Sequence, residues 1–166
     1  VAALGQLIPA GEIRRLAAPI SGFGGTPRVS SLLVKEGDFV EQGQILAVFD
    51  NRPQILSDLA VIESRLQTLN IKIRMQQREV ARYKKVASQG AASLVLLEDK
   101  KDELIKLKGH KNESIAEING LKADLDNTQL RSPIDGIVLV IHAREGERSG
   151  VNGVLEIGAN KNMHAL

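Results

Sequence analysis

The chain carries one short β-type pattern twice, and a long helical pattern separates the two copies. Val29 to Asp50 reads VSSLLVKEGDFVEQGQILAVFD, and Ile137 to Gly158 reads IVLVIHAREGERSGVNGVLEIG. Setting Lys35-Glu36-Gly37-Asp38 on Arg144-Glu145-Gly146-Glu147 also sets Ile45, Leu46 and Val48 on Val154, Leu155 and Ile157. Half-motifs so far apart in number imply a single small β unit that is complete only when both are present. Whatever lies between them must leave that unit and return to it.

After Asp50 the period changes. Leu59, Ile62, Leu66, Leu69, Ile73, Gln76, Val80, Tyr83 and Ala87 follow one another in steps of three and four, a heptad seam that is polar only at Gln76. Pro53 fits the first turn of such a helix, where its missing N–H has no intrahelical partner. The pattern breaks over Ala87-Ser88-Gln89-Gly90-Ala91-Ala92-Ser93. It resumes through Leu97, Leu104, Leu107, Ile118, Leu121 and Leu125, with Lys111 and Ser114 expected to interrupt it. Gly90 lies midway between Asp50 and Leu130, so two arms of about 35 residues each would reach roughly 50 Å and come back. A short connection makes them antiparallel neighbours. Pro133 and Gly136 then restart the β pattern.

The flanking β regions are marked by turn residues. Gly5, Pro9, Gly11, Pro19, Gly22, Gly24, Gly25 and Pro27 punctuate short apolar runs. Leu32-Leu33-Val34 and Ile45-Leu46-Ala47-Val48 are the expected strands, joined across KEGDFVEQG. Gly37 and Gly43 would supply positive φ there. The expected class is α+β. Residues 1–52 with 130–160 form the β domain, residues 53–129 a coiled-coil hairpin with its tip near 87–93, and residues 161–166 begin a further, truncated domain.

Composition excludes several functions. Among 166 residues there is no Trp, one Tyr and three Phe, too few bulky rings for a wide interior. The 22 basic residues face 20 acidic ones, and no basic stretch carries the interleaved aromatics of single-strand binding, so no nucleic-acid partner is expected. The absence of Cys removes disulfides and thiolate metal sites. No run approaches the roughly 20 apolar residues of a membrane span. The chain opens on Val1 without Met and reads as an excised piece of a longer protein. His110, His142 and His164 are isolated from other ligands, Gly22-Phe23-Gly24-Gly25 is not followed by a phosphate-loop Lys, and Ser132 stands in no nucleophile elbow. The chain is not expected to be an enzyme.

SLLVKEGDFVEQGQILAVFD resembles the first half of a biotinyl/lipoyl domain, and LRSPIDGIVLVIHAREGERSG the start of its second half. A lipoyl-like domain split by a helical hairpin resembles the HlyD-like periplasmic adaptors, or membrane fusion proteins. ALGQLIPAGEIRRLAAPISG is most similar to adaptors of ABC exporters, including the cyanobacterial DevB type. The resemblance implies a periplasmic subunit whose parent is anchored in the inner membrane of a Gram-negative-type cell. It would bridge an inner-membrane transporter, ABC type favoured, to a TolC-like outer-membrane channel, in efflux or type I secretion. Assembly as a hexamer is implied too.

The family's channel-binding signature is an Arg, a Leu four residues on, and a Ser seven further. Arg82, Val86 and Ser93 keep that spacing, with Val in place of Leu. Arg82 has the planar fork for carbonyls or carboxylates on a partner, and Ser93 is placed to cap the second helix. Arg78, Arg82, Lys84 and Lys85 make this end basic, which could steer it to an acidic mouth. No cofactor is expected. A carrier domain needs a lysine on the turn between its halves, which the hairpin replaces here, and the first lysine after Gly43 is Lys72. Two alternatives stay open: a biotin or lipoate carrier with a helical insertion, and a structural coiled-coil protein.

Overall fold

The computed structural model describes residues 11–20, 25–90 and 94–159. Residues 161–166, read above as the start of a further domain, lie outside them, as do Ser93 and the neighbouring residues of the turn. The chain divides into two compact units. One is drawn from both ends of the chain, up to Pro53 and from Leu125 onward, and the other is Gln54–Asp124.

The first unit contains β1 (Ile13–Leu16), β2 (Val29–Leu32), β3 (Phe39–Val40), β4 (Ile45–Phe49), β5 (Gln129–Arg131), β6 (Gly136–Ile141) and β7 (Leu155–Ala159). They form two antiparallel sheets, ordered β1-β7-β6-β3 and β2-β4-β5. Both sheets contribute to one core, in which Val29, Val40, Leu46, Phe49, Val138, Val154, Leu155 and Ile157 are almost wholly removed from water. Full burial of such a side chain stabilises by about 1.5–3 kcal/mol.

The sequence repeat appears here as reciprocal bonding. The Lys35 N–H donates to the Asp38 carboxylate at 2.9 Å, and the Arg144 N–H to Glu147 at 3.0 Å. Both turns pass through a glycine at positive φ, Gly37 at 91° and Gly146 at 85°, a backbone state that a Cβ disfavours. The Gly37 N–H donates to the Val138 carbonyl and the Gly146 N–H to the Val29 carbonyl, each at 2.7 Å. The Val138 N–H donates to Asp38 O and the Val29 N–H to Glu147 O, each at 2.9 Å. The Leu32 N–H reaches the Glu145 carboxylate at 3.1 Å, and the Ile141 N–H reaches Glu36 at 3.0 Å. Each half therefore satisfies backbone groups of the other that would otherwise have to find water.

The symmetry extends further than the sequence repeat. β1 pairs with β7 as β5 pairs with β4, and Leu16-Ala17-Ala18-Pro19-Ile20 matches Leu130-Arg131-Ser132-Pro133-Ile134. Joining the halves directly, Ile45 faces Arg131, Val48 faces Gln129, and the Phe49 N–H donates to Thr128 O at 2.8 Å. Arg52 donates to the buried Thr128 hydroxyl at 3.0 Å.

The second unit is built from α1 (Arg52–Ser88) and α2 (Leu94–Asp126), of 37 and 33 residues. On α1 the heptad positions form the covered face: Leu59, Ile62, Leu69 and Ile73 are buried, and Leu66, Gln76, Val80, Tyr83 and Ala87 are half-buried. On α2, Lys111 and Ser114 do not interrupt the seam as expected. They occupy it: Ser114 is only 3% exposed, and Lys111 is half-buried like Leu104, Leu107, Leu121 and Leu125. A small serine lets two helices approach, and a lysine stem can cover apolar surface while its ammonium stays wet. Chemical type hid the period at these two positions.

Cross-helix contacts run in opposite numerical directions, as antiparallel packing demands. Arg65 meets Glu117 at 3.4 Å, and Glu79 meets Lys100 at 3.5 Å. Gln76, the polar member of the seam, donates to the Lys100 carbonyl at 3.0 Å. α1 ends in a left-handed residue, Gly90 at φ 72°, with the Gln89 and Gly90 N–H groups bonded back to Val86 O and Ala87 O. Glycine is the usual helix stop of this kind.

Candidate functional site: the turn end of the hairpin

Arg82 and Val86 stand one helical turn apart near the end of α1 and share a face. The Arg82 side chain is 74% exposed, and its guanidinium is hydrogen-bonded to Glu79 on the preceding turn. Glu79 also takes Lys100 of α2, and the Lys100 ammonium lies 5.2 Å from the centre of the Tyr83 ring. Arg82 is thus an oriented cation, tied through Glu79 to the opposite helix. The hydrogen bond from Arg82 is the main cause that holds the Glu79 carboxyl below its usual range. Partial desolvation opposes this, and the charges of Arg82 and Lys100 reinforce it. Met75, Gln76, Arg78, Glu79 and Arg82 line an open cleft of about 500 Å3 along the same part of α1.

Val86 is 38% exposed and leaves part of its side chain to solvent. Ser93 lies outside the described residues, and α2 begins immediately after it. The three residues of the spacing motif are therefore seen here as an exposed Arg and Val on one face, with the third position undescribed.

Sequence reasoning missed the apolar part of this end. Leu94, Val95 and Leu96 open α2 and are 71%, 69% and 46% exposed, while Leu97 alone turns into the seam. The signal was present. Four consecutive apolar residues, Leu94-Val95-Leu96-Leu97, cannot all face a seam that takes one residue in three or four. The hairpin end combines exposed aliphatic side chains with the basic residues Arg78, Arg82, Lys84 and Lys85, all exposed. Among the described residues, no helix is long and apolar enough to cross a membrane.

No family model matches the chain, and no curated protein matches it. Solved structures do. A membrane fusion protein from Streptococcus pneumoniae R6 superposes with a TM-score of 0.65 at 15% identity, over 92% of this chain and 63% of that one. A MacA-MexA chimera with the Pseudomonas aeruginosa MexA α-hairpin domain gives 0.51 at 22%, over 89% and 48%. The periplasmic adaptor protein EmrA gives 0.54 at 13%, over 89% and 72%. The chain spans about two-fifths to three-fifths of the first few of these solved structures. Its fold, β sheets with a long helical hairpin, is that of membrane fusion and periplasmic adaptor proteins.

Proposed function

We propose that this chain is the hairpin-bearing part of an adaptor that links an inner-membrane transporter to a TolC-like outer-membrane channel. Its β unit is lipoyl-like, a scaffold with no covalent cofactor and no catalytic step. The narrower placement is with the HlyD-like adaptors of ABC exporters, of the DevB type, working in the periplasm as hexamers. The observation that carries the proposal is the hairpin end. An oriented arginine and exposed aliphatic side chains, Val86 on α1 and Leu94 to Leu96 at the start of α2, stand where an adaptor of this fold would meet its channel. The likeness to solved adaptors supports the same reading.

Several copies docking together need only weak individual contacts, because later contacts form at high effective concentration. The test is capture of a purified TolC-like channel by the chain and its variants. Arg82→Ala and Leu94→Asp should each weaken capture about tenfold, the scale of a central arginine or apolar anchor, while thermal unfolding stays within about 2 °C because neither side chain is buried. Undiminished capture by both variants would place the contact elsewhere.

A further inference from the structure

The seam of α2 changes chemistry at Ser114. Leu107 before it and Ile118 and Leu121 after it keep the same period, so a hydroxyl stands where the seam otherwise takes a branched hydrocarbon. Ser114 is 3% exposed. Its hydroxyl has no hydrogen-bond partner among the described residues, and a buried polar group left alone is destabilising. A ligand that supplies the missing partner is favoured here.

Ser114 lines a groove of about 300 Å3 between α1 and α2, the low end of the range for small-molecule sites. The ion pair of Arg65 with Glu117, at 3.4 Å, marks one end. Antiparallel packing then sets Lys72 level with His110 at the other end. Thr68 and Leu69 stand level with Glu113 and Ser114 between them. Seven residues of helix separate the two ends, about 10 Å.

The Lys72 ammonium and the Thr68 hydroxyl also have no partner among the described residues. Glu113 meets His110 through one carboxylate oxygen, Oε2 at 3.5 Å from Nδ1, which leaves Oε1 open. Lys72 stands about three residues of rise, roughly 4.5 Å, from the level of Glu113. The fixed charges of the lining balance, Arg65 and Lys72 against Glu113 and Glu117. A simple anion drawn to Lys72 is repelled by Glu113, and a simple cation meets the reverse. A molecule with both signs a few ångströms apart gains at each.

We propose that this groove binds a free α-amino acid as its zwitterion. The carboxylate accepts from the Lys72 ammonium and from the Thr68 and Ser114 hydroxyls, and the ammonium donates to Glu113 Oε1. Leu69, 8% exposed, forms an apolar floor that suits an aliphatic side chain. The site lies in the middle of the hairpin and does not depend on what the tip binds.

L-leucine titrated into the isotope-labelled chain should shift the backbone amide signals of Thr68, Leu69, Lys72 and Ser114. N-acetyl-L-leucine lacks the cation and isoamylamine lacks the anion. Each should bind about fivefold more weakly than leucine, the upper scale of an exposed ion pair. Lys72→Met should weaken leucine binding about fivefold for the same reason. Ser114→Ala should weaken it about threefold through one lost neutral hydrogen bond. That variant should also hold or raise the thermal midpoint, because an unsatisfied hydroxyl leaves the seam. A serine kept only for its small size predicts unchanged binding in Ser114→Ala, since alanine is small too.

Absent shifts, equal binding by either blocked analogue, or unaltered binding in both variants overturns the site. Channel capture by the tip is a separate measurement, and any of these results leaves the adaptor reading standing.

Discussion

The β unit and the helical hairpin depend on different kinds of contact. In the β unit the core residues approach zero exposure, and the bonds that close it join residues 105 and 113 positions apart. In the hairpin the most buried apolar positions keep 6–8% exposure, most seam residues are half-buried, and every layer is one side chain thick. The first region concentrates its stability in a few sites that cannot change. The second spreads it thinly along two helices and leaves most of its surface available. Fold-breaking substitutions are therefore expected mainly in the β unit.

The largest effect should separate the two regions. Leu155→Ala removes a fully buried side chain at the centre of the β core and should cost about 4 kcal/mol in chemical denaturation. Ile73→Ala on the hairpin seam should cost about 2 kcal/mol, because a thin layer collapses around the gap and water already reaches its edge. Equal losses would mean that the hairpin seam is packed as tightly as the β core.

A smaller effect concerns Gln76, whose amide spans the seam to the Lys100 carbonyl. Gln76→Leu should raise hairpin stability by about 1 kcal/mol, as replacing a polar seam residue commonly does, while relaxing the helix register. Hydrogen exchange of amides near Lys100 would show that relaxation as faster opening despite the higher midpoint.

The smallest effect is on acidity. The Glu79 carboxyl is held low in the folded chain, so its contribution is complete above the ordinary carboxylate range and disappears only as pH falls through the depressed value. Channel capture should therefore persist through the pH range where unperturbed glutamates take up protons, and weaken below it as Arg82 loses its tether. In Glu79→Gln that acid-dependent step should be gone, and a binding curve against pH would show it.

Much of the architecture was legible because the period changes sharply. Leu59 to Ala87 keep one helical face with no gap in spacing, and Gly37 and Gly146 mark equivalent turns in the two β copies. β1 was less readable: Ile13–Leu16 is mostly exposed and becomes a strand through pairing with β7. Lys111 and Ser114 misled because a seam selects for fit and position, which composition alone does not report. At the hairpin end the spacing of Arg82 and Val86 could be read. The hold of Glu79 on Arg82 is set by rotamers, and the exposure of Leu94 to Leu96 became clear only once the seam had selected Leu97.

The reciprocal backbone bonds of the β unit bear on how the chain is made. Ribosomes add about 5–20 residues per second, so the first half-motif waits several seconds or more before its complement emerges. Throughout that interval Gly37 and Leu32 lack their final acceptors, and the strands around them stand as open edges. The helices between, rich in local contacts, can form meanwhile and bring the two ends together. A nascent chain of this design is most vulnerable to capture by another copy before its second half-motif, Ile137 to Gly158, exists.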